Sequence, residues 1–263
     1  LKMIISIELY HTILTLFLAL FILYIFFGAR FLYYKDYSNL KEKPLFLDNI
    51  KSGDVFLVAY DKPIILGLEG LLGVSYQHTA VAVWEYKTLS DGKRVKDQLY
   101  MVEYATYPRA FDEDLKYDGI IKIPFSRWFR MNKNSFIVRN EISFNGKNEL
   151  EKEDMEKILS DRILSFYEET KFEGSLGGFG IKWFRFMFPS DGYKPLKKMG
   201  TEDLICTEYT VALLNEVGIT EKDRSVESYS PQEFAKMKSF KINPYYSYNG
   251  YVVDIAPISY LLD

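Results

Sequence analysis

Hydrophobic and polar positions follow three successive patterns along the chain. The first is unbroken: from Thr12 to Ala29, TILTLFLALFILYIFFGA carries no charge, and as a helix it would measure about 27 Å, close to the hydrocarbon thickness of a bilayer. A core helix of about five turns normally keeps a polar face, which this stretch lacks. Arg30 can snorkel, so that Phe31 to Tyr34 extend the apolar run, and Tyr10 and the Tyr24 to Tyr34 aromatics suit two membrane interfaces. The pattern predicts one transmembrane helix, with residues 1–34 as a membrane anchor that meets the bilayer through residues 12–34. Lys2 stands before it, and Arg30, Lys35, Lys41 and Lys43 follow it. The positive-inside rule then places the rest of the chain on the cytosolic or an equivalent side. Residues 35–48 are polar, charged and proline-bearing, which reads as a linker.

The second pattern has strand-length apolar runs separated by turn residues. After the Gly53-Asp54 turn, VFLVAY reads as a strand; HTAVAVWEY, from His78, is the next, and QLYMVEYA, ending at Ala105, a third. The charged stretch between the last two contains Asp91-Gly92, which is hairpin chemistry. DGIIKIPF, NSFIVRNEISF and the late GYVVDIA add three more strands.

The third pattern is helical. Between Glu149 and Thr170, Met155, Ile158, Leu159, Ile163 and Phe166 recur at three- and four-residue spacing, behind an acidic start that favours the helix dipole. Leu204 to Val217 predicts a further helix ended by Gly218, and Ser230-Pro231 opens a short one. The expected class is α+β, an antiparallel sheet packed on helices, in a single domain over residues 49–263.

Composition narrows the function. A hydrophobic fraction of 48% with 17% aromatics supplies an ample core. The net charge of −3 and pI near 5.6 lack the basic excess of a general nucleic-acid binder. One cysteine makes no intrachain disulfide, and with only His11 and His78 beside it the chain is too poor in soft ligands for a structural zinc site. Heavy use of Lys, Ile, Asn, Tyr and Phe fits an AT-rich genome, such as that of a protist or a large DNA virus.

The chemistry that remains is that of a thiol. Cys206 stands at the start of a predicted helix, where unpaired N–H groups and the dipole favour a thiolate. His78 opens a strand, and Glu103 lies inside the neighbouring one between Val102 and Tyr104, where a carboxylate could orient an imidazole. A thiolate beside an imidazole held by a carboxylate is an activated nucleophile whose members are far apart in sequence. Each residue also has a plainer reading: a buried apolar cysteine, a polar strand-end histidine, an outward-facing glutamate.

The order of motifs carries a resemblance. SGDVFLVAYDKPIILGLEGLLGVSYQHTAVAV, MVEYAT, IPFSRWF, YEETKFEGSLGGFGI, LICTEYTVALLNEVGI and YSPQEFAKM together resemble the permuted branch of the NlpC-type papain-fold cysteine hydrolases, which includes lecithin retinol acyltransferase-like proteins and bacterial and poxviral members. The resemblance covers roughly residues 50 to 240 and implies a circularly permuted papain-like fold, here preceded by the transmembrane helix. It implies catalytic roles for His78, Glu103 and Cys206 in that order, and no cofactor. Two positions depart from the family: Thr207 stands where a serine usually follows the cysteine, and Thr170 to Glu173 replace a Gly-x-x-Tyr-Asp-like segment. The family spans lipid acyl transfer, amide hydrolysis and peptidoglycan cleavage.

Two functions are therefore expected. One is a membrane-anchored cysteine hydrolase or acyltransferase acting on a lipid-linked or peptide amide or ester through a thioester on Cys206. The other is a membrane-tethered structural protein, for example one joining a virion's inner membrane to its capsid proteins, that keeps the fold without turnover. Residues 177–193, basic and aromatic, read either as core under a loop or as a flap at a membrane interface. SLGGFG lacks the Lys-Ser/Thr of a phosphate loop.

Overall fold

A computed structural model describes residues 2–23, 40–59, 76, 78–105, 119–133, 135–170, 206–223, 225–226, 229, 233–234, 237 and 239–254. Among these, four α-helices and seven strands follow one another: α1 (Lys2–Leu23), β1 (Glu42–Pro44), β2 (Val55–Ala59), β3 (His78–Thr88), β4 (Arg94–Ala105), β5 (Gly119–Pro124), α2 (Phe125–Asn132), β6 (Phe136–Phe144), α3 (Glu149–Thr170), α4 (Cys206–Glu216) and β7 (Tyr246–Asp254). The strands form one sheet in the order β1-β7-β6-β2-β3-β4-β5.

The sheet is mixed rather than wholly antiparallel. β1 runs parallel to β7, with Glu42 opposite Val252, while the other neighbours are antiparallel. Part of the stretch expected as linker thus forms an edge strand, and Leu45 behind it is buried. The charged segment between β3 and β4 is also more regular than its composition suggests. Both strands run into it as a hairpin that pairs Thr88 with Arg94, and the turn closes at Gly92, whose φ of +82° suits a residue without Cβ. The charges there occupy the exposed end of the ribbon, where Lys87 pairs with Asp97 at 2.7 Å.

Helices cover both faces. On one face α3 and α4 pack Leu159, Ile163, Phe166, Val211 and Leu214 onto Val55, Leu57, Val81, Val83, Val102 and Val138. On the other, α2 and the segment around Ile50 pack Phe125, Trp128 and Phe129 onto Phe56, Val58, Ala80, Ala82, Met101 and Ile137. The central β2 is buried at every residue, which explains its continuous apolar sequence. α3 begins with a capping box: Asn148 Oδ1 accepts from the Glu151 N–H at 3.0 Å and Glu151 Oε2 accepts from the Asn148 N–H at 3.0 Å.

The Gly53-Asp54 turn joins these layers. Gly53 has φ +95°, and a Cβ there would lie 2.7 Å from Leu159 Cδ2, so the turn needs glycine for both conformation and space. Asp54, fully buried, accepts from the backbone N–H of Lys51 at 2.9 Å and of Ile142 at 2.8 Å, and from Arg139 Nε at 2.8 Å. One carboxylate thereby locks the entry of β2 to β6.

The expected membrane anchor is overturned. Among the described residues no helix is long and apolar enough to cross a membrane. Of the Thr12 to Ala29 run, the described residues include Thr12 to Leu23, the C-terminal part of α1. The remainder of α1 brings Lys2, Glu8 and His11 into the same helix, and residues 24–34 lie outside the described residues. The single-pass topology, the bilayer contact through residues 12–34 and the cytosolic-side or virion-membrane placement that followed from it lose their basis. The fold description is corrected accordingly, from an α+β domain preceded by a transmembrane helix to a mixed α/β fold. Leu9, Ile13, Phe17 and Leu20 of α1 are exposed, and neither core cluster includes a described side chain of this helix. The expected helix at Ser230-Pro231 and the segment 177–193 fall largely or wholly outside the described residues.

Candidate active site

Alternation along two strands decides where the polar groups point. On β3, Val81 and Val83 face α3 and α4, while Ala80, Ala82 and Trp84 face α2; His78, two residues before Ala80, shares the α2 face. On β4, Val102 and Tyr104 face α3 and α4, so Glu103 joins Leu99 and Met101 on the α2 face. The charged position inside an apolar strand is thus directed at a neighbour on the next strand. His78 Nε2 lies 2.6 Å from Glu103 Oε2, and Glu103 is fully buried.

Cys206 comes from the opposite layer. It is the first residue of α4, partly exposed, while Thr207 to Asn215 behind it are all buried. The helix therefore enters the core directly after the thiol and holds the sulfur at the end of the sheet, where His78 begins β3. Cys206 is hydrogen-bonded to His78 and accepts from the backbone N–H of Thr79. Glu103 engages Nε2, which leaves the ring's Nδ1 for the thiol. The three residues singled out in the sequence are brought together as a chain from Glu103 through His78 to Cys206.

The electrostatics follow from that chain. Burial pushes the Cys206 thiol up, but the hydrogen bond and charge of His78, with the Thr79 N–H and the Thr207 hydroxyl, outweigh it and hold the thiol below its ordinary value. Burial pulls the His78 imidazole down; the charge of Glu103, with the hydrogen bonds to Cys206 and Glu103, outweighs it and pushes the ring up to about 9. Both shifts favour the charged pair, a thiolate beside an imidazolium, which can attack a carbonyl carbon and protonate a leaving group.

Sequence reasoning missed three contributors. Trp128, fully buried on α2, donates its indole N–H to Glu103 Oε2 at 2.5 Å; in the sequence it reads as one more core aromatic. Thr79 supplies the N–H that meets the sulfur, and a backbone donor leaves no residue-type signal. Thr210 donates to the Cys206 carbonyl at 2.9 Å, and its i, i+4 spacing from the cysteine was the only available hint. The other histidine, His11, lies in α1 beside Tyr10, 6.3 Å between ring centroids. Among the described residues no group of three or more His, Cys, Asp or Glu side chains could hold a metal ion.

No protein-family model matches the chain, and no curated protein is similar to it. Among solved structures it is similar to the metalloprotein yiiX from Escherichia coli O157:H7, a DUF1105 protein, at 13% identity over 79% of this chain and 91% of that one, with a TM-score of 0.34. So loose a likeness assigns neither a family nor a chemistry.

Proposed function

We propose that the chain is a cysteine hydrolase or acyltransferase that takes an acyl group from an amide or ester, on a lipid-linked or peptide substrate, through a thioester on Cys206. The observation that carries this reading is the buried Glu103–His78 pair, 2.6 Å apart, on which the thiol of Cys206 closes. The order His78, Glu103, Cys206 along the chain also agrees with the permuted NlpC-type hydrolases that the motifs resemble.

In this mechanism the Cys206 thiolate adds to the substrate carbonyl carbon, and the carbonyl π electrons move onto oxygen. The backbone N–H of Cys206, at the head of α4, is the natural donor to that oxyanion. When the tetrahedral intermediate collapses, the bond to the amine or alkoxide breaks and His78 gives its proton to the leaving group. The neutral imidazole then takes a proton from water, or from an acceptor hydroxyl or amine, as that nucleophile attacks the thioester. Cys206 leaves as a thiolate and His78 is again protonated. Glu103 keeps the ring oriented and stabilises its charge throughout.

The test is the rate of Cys206 alkylation by iodoacetamide from about pH 4 to 9 in the wild type and His78→Ala, followed by mass spectrometry of the protein after exposure to p-nitrophenyl esters. A thiolate that titrates well below the ordinary value of about 8.5, shifts back up in the variant, and gains one acyl mass on Cys206 supports the proposal. An ordinary thiol unaffected by His78→Ala overturns it.

A further inference from the structure

Glu103 Oε2 accepts two hydrogen bonds, from His78 Nε2 at 2.6 Å and from Trp128 Nε1 at 2.5 Å. Two ring nitrogens aimed at one oxygen at such distances favour the ionised carboxylate over the acid, because acceptance by a charged oxygen strengthens both bonds. The second donor is of an unusual kind for a buried acid. Elsewhere in this protein a buried carboxylate is met by a cation, as Asp54 is by Arg139. An arginine facing Glu103 would fix its position equally well, but would cancel much of its charge before that charge reached the imidazole. An indole N–H has no titrating proton and no net charge. It can hold the carboxylate in place without adding a countercharge of its own.

The ring is itself held firmly. Trp128 stands edge-on to Phe56 at 5.7 Å and is stacked on Phe125 at 6.2 Å, and its carbonyl accepts from Asn132 Nδ2 at 2.8 Å. α2 follows β5 without a break, since β5 ends at Pro124 and α2 starts at Phe125. β5 pairs with the strand that carries Glu103, with Glu103 opposite Ile121. The donor and its acceptor are therefore fixed to the same two strands.

Building on the thiolate reading above, we infer that Trp128 is a positioning residue for the reaction, a neutral donor that aims the Glu103 carboxylate at His78 and thereby maintains the imidazolium–thiolate pair. It acts through Glu103 and touches neither the thiol nor a substrate.

The test compares the pH profile of iodoacetamide alkylation of Cys206 in the wild type and Trp128→Phe, with circular dichroism as the folding control. The replacement keeps an aromatic ring and removes the N–H. The expected result is about tenfold slower alkylation near pH 6, the scale of one lost hydrogen bond to a charged group, with little change above pH 9. Indole resonances of the ¹⁵N-labelled wild type provide a measurement that needs no Trp128 variant. Of the three tryptophans, one should show an N–H far downfield that moves upfield in Glu103→Gln. An unchanged alkylation profile in folded Trp128→Phe overturns the inference whatever the resonances show. If that variant does not fold, indole signals indifferent to Glu103→Gln overturn it. An ordinary thiol in the wild type would instead defeat the thiolate reading on which the inference stands.

Discussion

Thr79 Oγ1 lies 2.9 Å from Thr210 Oγ1, which joins the residue after the candidate base to the first turn of the helix that carries the candidate nucleophile. Thr210 gives its own proton to the Cys206 carbonyl at 2.9 Å, so its oxygen must accept from Thr79. Thr79 thus holds α4 twice, through its hydroxyl and through the backbone N–H that meets the sulfur. Thr210→Val would strand the fully buried Thr79 hydroxyl, and the expected cost is about 1–3 kcal/mol in chemical denaturation. The double variant Thr79→Val with Thr210→Val removes both partners and should recover most of that loss.

Glu103→Gln retains the size of the side chain and removes the charge that holds His78 protonated. The imidazole then falls toward or below its ordinary value, because burial continues to disfavour its charged form. With the imidazolium gone, the thiol should titrate upward. Alkylation of Cys206 near pH 6 should slow by at least about tenfold, with the largest difference from wild type in acid and the smallest above pH 9.

The same pair gives stability a pH dependence whose sign can be worked out. The folded value of His78, about 9, is above its ordinary value of 6.5. The stability it contributes is therefore fully present below about 6.5 and lost as the pH rises through about 9. The lowered Cys206 thiol works in the opposite direction, with a contribution that is complete only above its unfolded value and lost as the pH falls through its folded one. In Cys206→Ala the histidine limb stands by itself. Cys206 itself helps to raise His78, so urea midpoints of that variant should decline as the pH rises from about 6.5 over a range that ends short of 9, and adding Glu103→Gln should flatten the decline.

Asp54 permits a prediction away from the site. Burial raises its carboxyl above the ordinary value even though Arg139, Lys51 and two backbone N–H groups pull the other way. Arg139→Met would leave a fully buried carboxylate without its guanidinium; the expected loss is about 3–5 kcal/mol at neutral pH. A raised carboxyl destabilises the fold as the pH rises through its folded value, so the loss should shrink at pH 4, where Asp54 can take up a proton. Thermal unfolding at the two pH values measures both.

The sequence made β2 to β6 and α3 legible because their periods are local, and it made Glu103 conspicuous because one charge interrupts an apolar strand. His78 and Cys206 stood out by scarcity and position. Trp128 did not, since an aromatic residue that is both core and donor has the same pattern as one that is only core. β1 was hidden because Glu42 to Pro44 has no strand signal of its own and finds its partner near the other end of the chain. The reading of Thr12 to Ala29 failed for a different reason. Hydropathy registers an apolar run but not where its helix begins, and α1 starts at Lys2 and takes in Glu8 and His11.

The assembly of the site from opposite faces of the sheet has a consequence for the newly made chain. His78 and Glu103 are 25 residues apart on adjacent strands, whereas the contact that seats α4, from Thr79 to Thr210, spans 131 residues. Local pairings form readily and distant ones wait for the intervening chain. Until α4 docks, Cys206 is an ordinary protonated thiol with no imidazole beside it, so the chain acquires a reactive sulfur only in the step that seats α4 on the sheet. Thiol reactivity is then a clock for maturation, and a labelling experiment during refolding would read the docking of α4 rather than the earlier pairing of β3 with β4.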